Sequence, residues 1–173
     1  TANGDVTATN SSTGATGQII FCNGGNSSIT ITGNVSLNNS GAGTTKRIYF
    51  TNNGDLTVNG TVTVANSSTA TNSQVYLNHG STVSAIYNGN IVLNSVGASS
   101  DGVLFGNGGG IATQNATYNV SIGGSGFEGT NLYFRNFTQL GSVAMSPTTT
   151  GATRIDFYDC TIGGNFTSNK PFG

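Results

Sequence analysis

Apolar triplets punctuate this chain at nearly constant intervals: Ile19-Ile20-Phe21, Ile48-Tyr49-Phe50, Val75-Tyr76-Leu77, Val103-Leu104-Phe105, Leu132-Tyr133-Phe134 and Ile155-Asp156-Phe157. Their last residues lie 29, 27, 28, 29 and 23 positions apart. A repeat of that length is the mark of a stacked, quasi-one-dimensional architecture. A second register holds Val35-Ser36-Leu37, Val62-Thr63-Val64, Ile91-Val92-Leu93, Val120-Ser121-Ile122 and Val143-Ala144-Met145, with Val6-Thr7-Ala8 before it and Phe166-Thr167-Ser168 after it. A third contains Ile29-Thr30-Ile31, Leu56-Thr57-Val58 and Val83-Ser84-Ala85, then anchors near Ile111, Phe137 and Ile162.

Each repeat therefore offers three short segments with the period-two alternation of a half-buried strand. Asn, Gly, Ser and Thr fill the intervals and favour turns. The pattern predicts an all-β fold, a right-handed three-faced parallel β-helix of about six coils of 23–29 residues. At one strand spacing per coil it is roughly 30 Å long. Residues 1–173 read as one β-solenoid domain or a segment of a longer one. An antiparallel sandwich also uses short strands, but gives no reason for in-phase spacing.

Inward columns are expected to stack Ile19, Ile48, Val75, Val103, Leu132 and Ile155, and beside them Phe21, Phe50, Leu77, Phe105, Phe134 and Phe157. Two residues after each triplet stand Asn23, Asn52, His79, Asn107, Asn136 and Asp159, with Asn78 one position early. Stacked amides hydrogen-bond along such a column. His79 reads there as a turn residue in place of Asn.

Composition narrows the function. Charged residues make up 6% of the chain and net charge is −1, so there is no basic footprint for nucleic acid. No apolar run approaches a membrane span, and the first residues carry no signal-peptide pattern, as expected of a processed protein or an excised stretch. A hydrophobic fraction of 35%, periodically placed, argues for order against disorder. Cys22 and Cys160 stand five coil intervals apart, about 24 Å and beyond the reach of an internal disulfide. Two distant thiols and a lone His make no standard zinc site, and no cofactor is expected. Asn-X-Ser/Thr sequons at Asn10, Asn26, Asn34, Asn38, Asn59, Asn66, Asn115, Asn119, Asn136 and Asn165 leave glycosylation open.

Coils such as Gly33-Asn34-Val35-Ser36-Leu37-Asn38 and the stretch from Gly54-Asp55-Leu56-Thr57-Val58-Asn59 to Gly60-Thr61-Val62-Thr63-Val64 resemble the repeats of large secreted bacterial surface proteins. These are adhesins of the filamentous-haemagglutinin and autotransporter-passenger type and the giant adhesins of gliding bacteria. The resemblance lies in repeat style over nearly the whole chain and in no family-defining motif. It implies an extracellular, cell-surface fibre or adhesin and transfers no functional residue.

Three chemistries compete. Polysaccharide-processing β-helix enzymes need clustered carboxylates. Here Asp5, Asp55, Asp101, Glu128, Asp156 and Asp159 are spread over different coils, and Arg135, Arg154 and Asp156 read as a surface ion-pair network, so no catalytic residue is assigned. Gly106-Asn107-Gly108-Gly109-Gly110 opens no helix and reads as a turn. The middle residues Ile20, Tyr49, Tyr76, Leu104, Tyr133 and Asp156 are expected to point outward. Tyr49, Tyr76, Leu104 and Tyr133 then form an exposed stripe for a glycan or partner, or a ladder that stabilises neighbouring coils. Outward Thr30, Thr57, Ser36, Thr63 and Ser121 raise ice binding, against which Val92 and Ala144 interrupt one column and the other decays after Ser84.

Open solenoid ends normally carry caps. None is evident here, although Pro171 blunts one edge and Phe172 is placed to plug the core. End-to-end self-association, or continuation into further chain, is expected instead. Head-to-tail stacking would bring Cys22 and Cys160 to one corner as inter-subunit contacts, along with Phe172.

Overall fold

A computed structural model describes residues 1–68, 70, 72–80, 84–95, 102–105, 111–114, 118–124, 131–147 and 154–169, with backbone alone at 95, 102–105, 111, 112, 114, 124, 131–133, 147, 154 and 155. The described residues contain strands and no helix. The first six strands are β1 (Val6–Asn10), β2 (Thr16–Asn23), β3 (Ser28–Ile31), β4 (Val35–Asn39), β5 (Thr45–Asn52) and β6 (Asp55–Val58). Then follow β7 (Val62–Asn66), β8 (Asn72–Tyr76), β9 (Ser84–Tyr87), β10 (Ile91–Ser95), β11 (Gly102–Phe105) and β12 (Ile111–Gln114). The last are β13 (Val120–Gly124), β14 (Asn131–Arg135), β15 (Phe137–Gln139), β16 (Val143–Pro147), β17 (Arg154–Tyr158), β18 (Thr161–Ile162) and β19 (Phe166–Ser168).

Every strand pairs in parallel with the strand three places along the chain, so the chain stacks on itself as a β-solenoid. The pairing builds three sheets, ordered β17-β14-β11-β8-β5-β2, β18-β15-β12-β9-β6-β3 and β1-β4-β7-β10-β13-β16-β19. They are called here the first, second and third sheets, in that order. Register in the first sheet agrees with the spacing of the triplets: Ile48 opposes Ile19 and Val75, and Leu132 opposes Val103 and Ile155. Apolar side chains on the inner faces merge into one core, in which Ile48, Phe50, Leu77, Val62, Ile91 and Phe134 are fully buried. Phe21 stacks on Phe50 at 5.7 Å, and Phe134 on Phe157 at 5.1 Å. The side chain of Phe105 lies outside the described residues, as do those of Val103, Leu132 and Ile155.

The second sheet departs from expectation. Leu56 opposes Ala85 and Val58 opposes Tyr87, two residues beyond the Val83-Ala85 alignment that spacing suggests. A two-residue slip preserves which face looks inward, so hydrophobic alternation alone does not select between the two registers. Tyr87 explains the choice. It is fully buried, fills space beside Phe50 and donates its hydroxyl to the Leu77 carbonyl at 2.6 Å.

Polar columns organise the corners. Asn10 donates to Asn39, and Asn39 to Asn66, both at 3.0 Å, and Ser73 joins through the same carbonyl of Asn66 at 2.8 Å. This ladder is buried, unlike Asn23 and Asn52, which also bond at 3.0 Å but in contact with solvent. Beside it Lys46 is fully buried, its ammonium donating to the carbonyls of Gly14 at 2.7 Å and Thr45 at 3.4 Å. At four turns into the third sheet, a short polar side chain accepts the backbone N–H one coil on: Asp5 from Asn34, Asn34 from Thr61, Asn90 from Asn119 and Asn119 from Ser142. The two residues before each strand of the third sheet begin with Gly4, Gly33, Gly60, Gly89, Gly141 or Gly164, with Tyr118 before β13 the exception. A Cβ at Gly60 would meet the carbonyl of Gly33, and one at Gly89 the carbonyl of Gly60, so the coils approach too closely there for a side chain.

Two stability measurements test this packing. Phe50→Ala, which empties a central inward position, is expected to cost about 3–5 kcal/mol in denaturant unfolding. Gly60→Ala removes no contact yet is expected to cost about 1–3 kcal/mol by forcing two coils apart. An unchanged midpoint for either substitution would contradict the stacking described.

Candidate functional site

The expected aromatic stripe is present but not as an exposed surface. Tyr49 and Tyr76 project from the outer face of the first sheet, opposed in register, and their rings stack at 4.7 Å with 10° between planes. Only 6% and 7% of their surfaces remain exposed. Ile20 packs against the pair, and the His79 ring stands edge-on to both tyrosines at 5.1 Å. The phenols are held as well. Arg47 donates to the Tyr49 hydroxyl at 3.2 Å, and Tyr76 donates to the Gln74 carbonyl oxygen at 2.7 Å. The stripe thus forms a second small core outside the sheet, because alternation decides only which face a residue takes and not what covers it. The side chains of Leu104 and Tyr133 lie outside the described residues, although their backbones continue the column.

His79 occupies the column of Asn23 and Asn52, as its position suggests, with Nδ1 at 3.0 Å from the Asn52 side-chain oxygen. Burial pushes its pKa below the ordinary value, and the Arg47 charge pushes it the same way. Burial likewise raises the Tyr76 phenol, against a lowering by Arg47. The cluster is therefore a rigid, neutral floor of aromatic rings with one fixed cation at its edge.

Three described carboxylates have structural partners, and Asp159 is exposed at the corner after β17. Asp5 and Asp55 accept backbone N–H groups from Asn34 and Ser84, and Asp156 pairs with Arg135 at 2.6 Å. That ion pair matches the network expected of Arg135 and Asp156. The side chain of Arg154, and all of Asp101 and Glu128, lie outside the described residues. So do Asn107, the Gly106–Gly110 stretch, Asn115, Pro171 and Phe172. Among the sequons, Asn10 and Asn66 are built into the buried ladder, which removes their amides from a glycosylating enzyme.

The cysteines take different columns. Cys22 opposes Thr51 within the first sheet, whereas the pairing of Thr138 with Thr161 sets Cys160 opposite Phe137 in the second. Both thiols are free, and Cys22 is buried with its S–H donating to the Asp55 carbonyl at 2.8 Å. Burial raises the pKa of both. The placement does not favour a Cys22–Cys160 bond between copies.

The corrected register of the second sheet changes one outward column. It reads Thr30, Thr57, Ile86, Thr113, Thr138 and Thr161, so the threonines resume after one interruption instead of ending at Ser84. The corresponding column of the third sheet is Thr7, Ser36, Thr63, Val92, Ser121, Ala144 and Thr167, as spacing predicts. Both columns are free of charge.

Comparison with protein-family models, curated proteins and solved structures gives no match.

The depressed pKa of His79 has a signed consequence. Between the ordinary His value of 6.5 and the lower folded value, the unfolded chain binds the proton and the folded chain does not. Stability is therefore complete above that ordinary value and is lost as pH falls through the folded one. Unfolding midpoints measured from pH 7 to 5 are expected to decline in the parent chain and to decline less in His79→Asn. Equal slopes would remove His79 from this role.

Proposed function

We propose that this chain is part of an extracellular, cell-surface protein with a structural and adhesive role. In this reading it is a right-handed, three-faced β-helix of about six coils that serves as a fibre or filament building block. It engages further chain or a second copy at its ends and a glycan or other surface ligand on a face. One observation carries the reading: parallel pairing stays in phase from β1 to β19, which suits a rigid rod better than a cleft. The repeat-style resemblance to secreted bacterial adhesins supports the extracellular placement. Exposure of Phe157 and Phe166, whose column partners Phe134 and Val143 are fully buried, supports an end that takes a cover.

The carboxylate contacts weigh against a polysaccharide-processing enzyme, since Asp156 is neutralised by Arg135 and Asp5 and Asp55 cap backbone groups. Ice binding is favoured over that alternative by the threonine column of the second sheet. β-Branched side chains repeated once per coil hold their hydroxyls and methyls in fixed rotamers.

Electron microscopy of the purified chain is expected to show filaments or rods extending along the solenoid axis. Monodisperse particles the size of one chain at high protein concentration would count against the fibre. Thermal hysteresis that disappears in a Thr57→Lys/Thr138→Lys variant would replace adhesion with ice binding.

A further inference from the structure

The outer face of the first sheet holds a cation without a counter-ion. Arg47 is half-buried, and its protein contact is the neutral hydroxyl of Tyr49. Its Nε is shielded from solvent and has no partner. Among the described residues, Lys46 turns inward onto carbonyls and Arg135 pairs with Asp156. His79 stands beside the same tyrosines and bonds to an amide, not to a carboxylate. An unpaired guanidinium in a partly desolvated setting attracts an anion strongly, because the fork matches the two oxygens of a carboxylate or sulfate.

The neighbours of Arg47 are suited to hydroxyl groups. Gln18 and Gln74 are its register partners one coil below and one coil above. Gln74 uses its carbonyl oxygen on Tyr76, which leaves its NH2 as a donor, and Gln18 is exposed. Uncharged amides flanking a guanidinium in a straight outward column offer one anion contact between two hydroxyl contacts. The buried Tyr49 and Tyr76 rings supply no stacking surface, and the Tyr49 hydroxyl holds the guanidinium.

We propose that Arg47, flanked by Gln18 and Gln74 and bordered by His79, binds the carboxylate or sulfate group of an acidic polysaccharide. The proposal rests on the adhesive reading and names its ligand class. His79 lies at the rim, facing Arg47 and Tyr49 from β5 and Tyr76 from β8, while Ile20 and Asn23 of β2 add no charge. Protonation of His79 adds a second positive charge, so binding strengthens as pH falls.

Calorimetric titration of the 173-residue chain with polygalacturonate, dextran sulfate and neutral dextran tests the site. At least one acidic polymer is expected to bind and neutral dextran is not. The polymer preferred tells carboxylate from sulfate ester. Arg47→Gln is expected to weaken binding about tenfold or more with an unchanged unfolding midpoint, and Arg47→Lys to retain part of it. Affinity is expected to rise from pH 7 to pH 5, and the rise to vanish in His79→Asn. Equal binding of neutral and acidic polymers would overturn the proposal. So would an equal loss in Arg135→Gln, which marks a general response to polyanions, or full affinity in Arg47→Gln. Titration reads the site whether or not filaments form: binding by a chain that forms none retains the site without the fibre, and filaments that bind no acidic polymer retain the fibre without the site.

Discussion

Backbone hydrogen bonding between successive coils is the interaction on which the rest of this structure depends. Each strand satisfies its N–H and C=O groups with the strands one turn before and after it, so every coil must repeat the path of its neighbour. A deviation at one corner would orphan polar groups on two coils at once. The side-chain requirements follow from that closeness. Glycine recurs where one coil's backbone presses on the next, and Asp, Asn or Ser recurs one residue later, where an N–H needs an acceptor across the gap.

The interior answers the same constraint with two kinds of matter. Apolar columns fill most of the cross-section, but one corner of the N-terminal coils is polar, with Asn39, Lys46, Ser68 and Ser73 fully buried. The amides bond along the axis, and Asn39 gives to Asn66 what it receives from Asn10, so the middle of an Asn column is satisfied by its own repetition. Lys46 has no such symmetry and is held by carbonyls of the loops that wrap it. Low overall charge and a well-ordered polar interior are thus compatible, because neutral amides replace ion pairs as the internal polar contacts.

The outer face of the first sheet shows how this architecture concentrates chemistry. Repetition places like residues at one-coil intervals, so Tyr49 meets Tyr76 and His79 meets Asn52 with no dedicated loop to arrange them. Where like residues do not repeat, as at Arg47 between Gln18 and Gln74, a column carries chemistry of its own. Such breaks in a solenoid column are the natural places to seek recognition. The uniform positions are already occupied with holding coils together.

Periodicity by itself determined that the chain is a parallel solenoid, which residues of the first and third sheets share a column, and that His79 falls among asparagines. These follow from spacing, and spacing is preserved when coils stack. A glycine, a short polar residue and an apolar residue, as in Gly33-Asn34-Val35, open six of the seven strands of the third sheet and were equally legible. The tertiary structure decided what spacing leaves degenerate. A two-residue slip keeps alternation intact, and β9 takes the register that fits Tyr87 against Phe50 and Leu77, which also sets the threonine column. Burial of Tyr49 and Tyr76 was likewise undetermined, because alternation assigns a side chain to the outer face but says nothing of the ring, amide or guanidinium that then covers it.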